Sequence, residues 1–427
     1  MHNKILRAIL VDIIDPKTSK IDAKRRLLEL ESLVNTFGGI VAISIIQKRG
    51  VPDYRTYMGK GKANEILALA EENEVDLVVL NNILKPSQIY NLQEHFKDLE
   101  LKVWDRVDLI LKIFDKHAKS TEAKLQIELA SIKHMGPRIF GMGIELSRQA
   151  GAMGIRAGQG ESNTELMKRH LKSHELNIIK KLQHYEIINE GHIKRRKRQN
   201  FKTAALVGYT NAGKSSLLNA LTNKGAYVAD QLFATLSTRV GKLYIHDTKI
   251  LENGAYNPGK EILISDTIGF IRDLPPDLIK AFKSTLAETI EADILLHVID
   301  ITDPDIHKKI KIVEEILADL GLKDKPKIYI YNKIDLINKS NFEVEQKDKD
   351  EIYNEYIRRP SGLLKAGIET AEILGWHCID EENKRFHKAG DDPKKLSKRY
   401  DKFNPMFVSS HKKTNLDILI AGLEKLI

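Results

Sequence analysis

The 427-residue chain is short of several things, and each shortage excludes something. A single cysteine, Cys378, rules out an internal disulfide and fits a reducing compartment. Its apolar neighbourhood suggests a packed thiol rather than a reactive one. No stretch approaches the roughly 18 apolar residues of a membrane span. The start, Met1-His-Asn-Lys-Ile-Leu-Arg7, carries charge inside its short apolar stretch and lacks a cleavage-site pattern, so no secretory leader is expected. The expectation is a soluble, cytoplasmic protein. The length allows two or three domains with ample buried core.

Charge is present in both signs but unevenly placed. A net +9 implies modest attraction to polyanions without naming one. Between Thr164 and Gln199, ten Lys and Arg stand against four Glu, so two thirds of the excess sits in one segment. It ends in Lys194-Arg-Arg-Lys-Arg198, which reads as a nucleic-acid patch, a nuclear signal or a solvated basic linker.

The most informative residues are Gly208, Tyr209, Thr210, Asn211, Ala212, Gly213, Lys214 and Ser215, a complete G-x-x-x-x-G-K-S/T loop. Chance alone yields that pattern in roughly one chain of this length in fifty to a hundred, so context decides. An apolar strand-like run, 203–207, feeds the loop, and Leu217, Leu218 and Leu221 follow at helical spacing. Backbone N–H groups and the positive helix end can then hold a β-phosphate. Lys214 would bridge the β- and γ-phosphates, and the Ser215 hydroxyl would ligate Mg²⁺, with Ser216 beside it. A second strand-like run, 261–265, leads to Asp266-Thr-Ile-Gly269. Asp266 is placed to hold Mg²⁺ through a water, and the Gly269 N–H to reach the γ-phosphate.

A third run, 326–331, leads to Asn332-Lys-Ile-Asp335. Asp335 can accept from guanine N1–H and the 2-amino group, donors that adenine lacks, so GTP is favoured over ATP. Asn332 and Lys333 would support the loop, and Ser409 and Ser410 fit a loop closing over the base. Between the first two elements lies Asp230-Gln-Leu-Phe-Ala-Thr-Leu-Ser-Thr238, where Phe233, Ala234 and Thr235 join the candidate site. Thr235 is the favoured metal-binding hydroxyl, with Thr238 the competitor. Lys214, Thr235 and Gly269 are the candidate catalytic residues. One familiar residue is absent: Phe270 stands where many signalling GTPases carry the Gln that orients water, so unaided hydrolysis should be slow.

Residues 1–118 alternate strand-like runs (6–14, 39–46, 76–81, 101–104) with helix-like ones (23–36, 61–73, 86–96), a small α/β domain with a mostly parallel sheet. Gly59-Lys-Gly-Lys62 reads as a basic helix start more readily than as a phosphate site. Helical signal runs from 105 to about 135, breaks over a Gly- and Arg-bearing stretch, and returns from 164 to about 194. That predicts a helical hairpin, 119–199, with a Gly-rich tip at 141–161. The GTPase domain would occupy 200–427, interrupted by a charged insertion around 336–405 that contains Trp376.

Several stretches resemble a known family. They are Thr121-Glu-Ala-Lys-Leu-Gln-Ile-Glu-Leu129, Pro137-Arg138, Ser147-Arg-Gln149, Arg156 with Gly160-Glu161, Asp230-Gln-Leu-Phe-Ala-Thr-Leu236 and Asp266-Thr-Ile-Gly-Phe-Ile-Arg-Asp-Leu-Pro275. The chain is similar to the HflX family, ribosome-associated GTPases of the Obg–HflX group, and Phe270 fits that group. Departures are Ala150 and Ala152 in the tip, Thr164 and Met167 after it, and the insertion. The resemblance implies an N-terminal α/β domain, a helical hairpin and a Ras-like domain using GTP/GDP and Mg²⁺. It also implies binding to the large (50S) ribosomal subunit and its rRNA, in splitting or rescue of ribosomes under stress. A monomer is expected. The rival is an RNA-binding or remodelling protein for which nucleotide is a structural ligand.

Overall fold

The computed structural model describes residues 5–118, 120–134, 159–199, 201–222, 239–245, 260–273, 283–336, 376–380, 385–388 and 406–426. The chain divides into two compact units, Met1–Ile187 with Leu274–Phe282, and Ile188–Asp273 with Lys283–Ile427. The α/β expectation holds in both.

In the first unit, strands β1 (Arg7–Ile14), β2 (Ile40–Lys48), β3 (Leu77–Leu80) and β4 (Lys102–Asp105) form a parallel sheet in the order β2-β1-β3-β4. Helices α1 (Lys20–Phe37), α2 (Lys60–Glu72) and α3 (Pro86–His95) make the crossovers. Helix-covered parallel strands are buried on both faces, hence the continuous burial of β1 from Ala8 to Ile14, apolar except at Asp12. Charge inside this unit is paired, as burial demands. Asp12, wholly buried, accepts from Arg26 Nε at 2.7 Å and Nη2 at 3.0 Å. Arg106, also wholly buried, donates to Asn81 Oδ1 at 2.8 Å and to Glu29. The stretch at Gly59 opens α2, and Lys62 pairs with Glu65 at 2.5 Å.

The expected helix over 105–135 is two helices, α4 (Arg106–His117) and α5 (121–134). Asp105 caps α4, its Oδ1 accepting from Asp108 N at 2.8 Å, and Ala118 is extended with ψ 115°. Ser120 then starts α5, its Oγ accepting from Ala123 N at 3.1 Å. Between Phe114 and Ala123 only Ala118 is apolar, so the apolar period lapses at this break.

Helix α6 (Gln159–Arg198) is longer at both ends than expected. Gln159, Gly160 and Glu161, assigned above to the tip, are therefore helical; the remaining tip residues, 141–158, lie outside the described residues. Leu125 and Leu129 of α5 are buried with Ile178 of α6, and Glu128 Oε1 meets His174 Nε2 at 2.8 Å. No helix among the described residues is long and apolar enough to cross a membrane.

The second unit holds β5 (Lys202–Val207), α7 (Lys214–Thr222), β6 (Arg239–Ile245), β7 (Lys260–Asp266), α8 (Lys283–Glu291), β8 (Ile294–Asp300), α9 (Ile306–Asp319) and β9 (Lys327–Asn332). After them come β10 (Trp376–Asp380), β11 (Arg385–Lys388), β12 (Met406–Phe407) and α10 (Leu416–Leu426). Its sheet runs β12-β9-β8-β5-β7-β6, with β6 the antiparallel member among the described strands. Strands β10 and β11 pair as a separate antiparallel ribbon. Beyond Leu336 they are the described part of the expected insertion, and the Cys378 side chain is outside the description. In the basic run that ends α6, Arg196 donates to both Glu288 carboxylate oxygens, at 2.8 and 2.5 Å. That arginine faces its own unit.

Candidate functional site

Strand β5 lies between β7 and β8, so its C-terminal end opens at the middle of the sheet, where such folds place ligands. The loop from Gly208 to Ser215 starts there. At Gly208 the backbone passes so close to β8 that a Cβ would sit 2.3 Å from Val298 O. Gly213 has φ 90° and leaves 2.2 Å between a would-be Cβ and Asn332 Nδ2, so both positions need glycine. Asn211 takes the left-handed conformation at φ 61°.

Lys214 opens α7 and folds back over the loop, its Nζ donating to Gly208 O at 3.1 Å and Tyr209 O at 2.8 Å. Burial pushes its pKa down to about 8, and the nearby Asp266 carboxylate opposes that shift. A buried cation whose hydrogen bonds among the described residues go to neutral carbonyls is suited to an anion. Ser215 Oγ donates to Asp266 Oδ2 at 2.6 Å, and Asp266 is wholly buried. Two hard oxygen donors side by side, next to an ammonium group, fit Mg²⁺ on a phosphate. Ser216 follows in α7.

Beyond Asp266, Thr267 Oγ1 donates to Leu206 O at 2.6 Å, tying the loop to β5. Gly269 then reaches the phosphate loop so closely that a Cβ would stand 2.9 Å from Lys214 Nζ. Phe270 is 2% exposed, so its ring is part of the core, with no group to orient water.

The third element follows β9. Asn332 Nδ2 donates to Ala212 O at 3.0 Å, and its Oδ1 accepts from Ser410 N at 3.0 Å and Ser410 Oγ at 2.8 Å. Lys333, at φ 70°, pairs with Asp300 Oδ2 at 2.7 Å. Asp335 Oδ1 accepts from Ser409 Oγ at 2.6 Å. The short strand β12, parallel to β9, carries Ser409 and Ser410 to this place. Both serines are buried, and their hydroxyls hold Asp335 and Asn332. Their hydrogen bonds fix the side chains of Asp335 and Asn332. Phe233, Ala234 and Thr235, with the competing Thr238, lie outside the described residues.

The structure thus brings Gly208 to Ser215, Asp266, Gly269, Asn332, Lys333, Asp335, Ser409 and Ser410 to one end of one sheet. Sequence reasoning missed Asp300 and Thr267. Asp300 ends an apolar strand, as Asp266 does, and that position was its available signal.

Three family descriptions match the chain: "GTP-binding GTPase N-terminal" over residues 24–115, "GTP-binding GTPase Middle Region" over 117–196, and "50S ribosome-binding GTPase" over 203–333. The GTPase HflX of Caldanaerobacter subterraneus is 45% identical over 331 residues, covering 78% of this chain and 73% of its own. That of Alkalihalophilus pseudofirmus is 41% identical over 349 residues, covering 82% and 78%. A solved GTP-binding protein from the hyperthermophilic archaeon Sulfolobus solfataricus, in complex with GDP, aligns over 99% of this chain and 98% of its own, at 24% identity and a TM-score of 0.45.

Proposed function

We propose, from the premise that the chain belongs to the HflX family of GTPases and hydrolyses GTP, that it is a nucleotide-timed switch on the large ribosomal subunit. The reading rests foremost on the joined cup formed by the Asn332–Ala212 hydrogen bond, which ties the base-reading loop to the phosphate loop. In it, Asp335 reads guanine while Lys333 covers the base. Lys214 and the loop amides hold the phosphates, and the Gly269 N–H meets the γ-phosphate. Ser215 and Asp266 would hold Mg²⁺, joined by Thr235 from the stretch outside the described residues. That ion neutralises charge on the β- and γ-phosphates when bound.

Catalysis in this chain is positioning and charge stabilisation. The apolar Phe270 leaves the attacking water without a side-chain acceptor at that position, so a partner completes the site. The partner reading draws on the match to a "50S ribosome-binding GTPase" description and on the basic α6, whose Lys and Arg suit rRNA phosphates. A cytoplasmic role in ribosome splitting or rescue follows from that reading, as does action as a monomer.

The test is sedimentation with 50S subunits under a GTP analogue, GDP and no nucleotide. Co-pelleting strongest with the analogue, with GTP turnover raised by subunits and abolished in Lys214→Ala, is the expected result. Equal pelleting in all three conditions refutes the switch. Salt-sensitive binding to naked RNA, indifferent to nucleotide, indicates the RNA-remodelling reading instead.

A further inference from the structure

Three hydrogen bonds staple the segment after Gly269 to the first residues of the phosphate loop. Phe270 N–H donates to Gly208 O at 3.1 Å, and Thr210 N–H to Phe270 O at 2.8 Å. The third uses a side chain: Arg272 N–H donates to the Tyr209 hydroxyl at 2.9 Å. Tyr209 itself is 6% exposed, and its ring lies beneath Lys309 Nζ at 4.7 Å to the centroid. Lys309 is in turn held by Asp303. The phenol is therefore anchored on the α9 side and grips the segment on the other.

This posture has a steric consequence. A Cβ on Gly269 would lie only 2.9 Å from Lys214 Nζ and equally close to Thr210 Cα and Cγ2, so the space between this segment and the phosphate loop does not admit even one more carbon. A γ-phosphate placed between Lys214 and the Gly269 amide therefore requires the segment to withdraw. Withdrawal breaks the staple, whereas a nucleoside diphosphate leaves it intact.

We propose that Tyr209 is a specificity-determining residue for the nucleotide state: its hydroxyl clamps the 269–272 segment in a GDP-compatible posture and so sets the preference between GDP and GTP. The inference rests on the reading of Lys214 and Gly269 as γ-phosphate contacts. A ligand shifts such an equilibrium only by its differential affinity for the two postures.

The test is Tyr209→Phe, which keeps the ring and its contact with Lys309 and deletes only the hydroxyl. Affinities for GDP and a non-hydrolysable GTP analogue are measured on the full chain with Mg²⁺. Losing one neutral hydrogen bond should move the ratio toward the analogue by roughly two- to tenfold. An unchanged ratio, a shift toward GDP or an equal loss of both affinities overturns the proposal. A second measurement is exchange of the Arg272 amide in wild type, expected to be protected with GDP and fast with the analogue. Equal protection in both states also overturns it. Lys214→Ala separates the two ideas. If it binds both nucleotides normally, the phosphate-site reading fails; if it binds neither while Tyr209→Phe leaves the ratio unmoved, the clamp alone fails.

Discussion

Replacing Asn332 with alanine tests the nucleotide cup where it is most dependent on one side chain. Asn332 is 1% exposed and makes three bonds, one to Ala212 O at 3.0 Å and two from Ser410, at 3.0 and 2.8 Å. A neutral hydrogen bond contributes about 0.5–1.5 kcal/mol net, so three bonds contribute about 1.5–4.5 kcal/mol. Their partners are left buried after truncation, which keeps the loss from falling below the middle of that range, about 3 kcal/mol. At about 2–4 °C per kcal/mol for a unit of this size, the melting temperature should fall by about 6–12 °C. The base-reading and phosphate loops would then have to be ordered by the ligand, so GDP affinity should fall by about 10- to 100-fold. Asn332→Asp retains both bonds from Ser410 but sets an oxygen against Ala212 O, and should fall between alanine and wild type. Thermal melts and displacement of a fluorescent GDP analogue read both effects. A Asn332→Ala protein that melts within about 2 °C of wild type and binds GDP within about twofold refutes the reasoning.

Other perturbations address separate parts of the molecule. On the proposed base-reading role, Asp335→Asn removes the charged acceptor for two guanine donors, so GDP affinity should drop by about 10²- to 10⁴-fold, and xanthine nucleotide should bind better than it does to wild type; competition titration with both bases decides. Burial holds Lys214 at about pKa 8 in the absence of nucleotide, and only its charged form suits a phosphate. GDP binding should therefore take up a proton above that point, with Kd rising about tenfold from pH 7 to 9 and flat below 7; a flat profile throughout refutes it. Burial works against the Glu314 carboxylate, but the hydrogen bonds and charge of His297 and Lys327 outweigh it and hold the group at about pKa 2. With a folded pKa below the ordinary 4.5, this group stabilises above about pH 4.5, and that stabilisation fades as pH falls toward 2. Urea midpoints over that interval should decline less steeply in Glu314→Gln than in wild type.

The nucleotide site was legible because its chemistry is local. A loop that cradles phosphate needs glycines, a lysine and a hydroxyl at set spacing after a strand, and Gly208, Gly213, Lys214 and Ser215 stand in that order. The apolar runs ending at Val207, Asp266 and Asn332 read as buried parallel strands, which they are. What eluded the sequence was either interrupted period or distant contact. The break between α4 and α5 falls where Ala118 is the sole apolar residue between Phe114 and Ala123, and Ser120 caps the helix that follows. The seat of Ser409 against Asp335 joins residues 74 positions apart through the pairing of β12 with β9. Arg196 belongs to a basic run that looks available to nucleic acid, yet it grips Glu288.

Residue identity and spacing by themselves determined the ligand class, the α/β layering and the chain order of the three motif segments, because those depend on side-chain chemistry and neighbours along the chain. Tertiary structure decided which hydroxyl holds which carboxylate, which cations face inward, and that the Gly269 segment leans on Lys214 through Tyr209. These depend on distances between strands that the chain connects only through long crossovers, and no local pattern encodes such a distance.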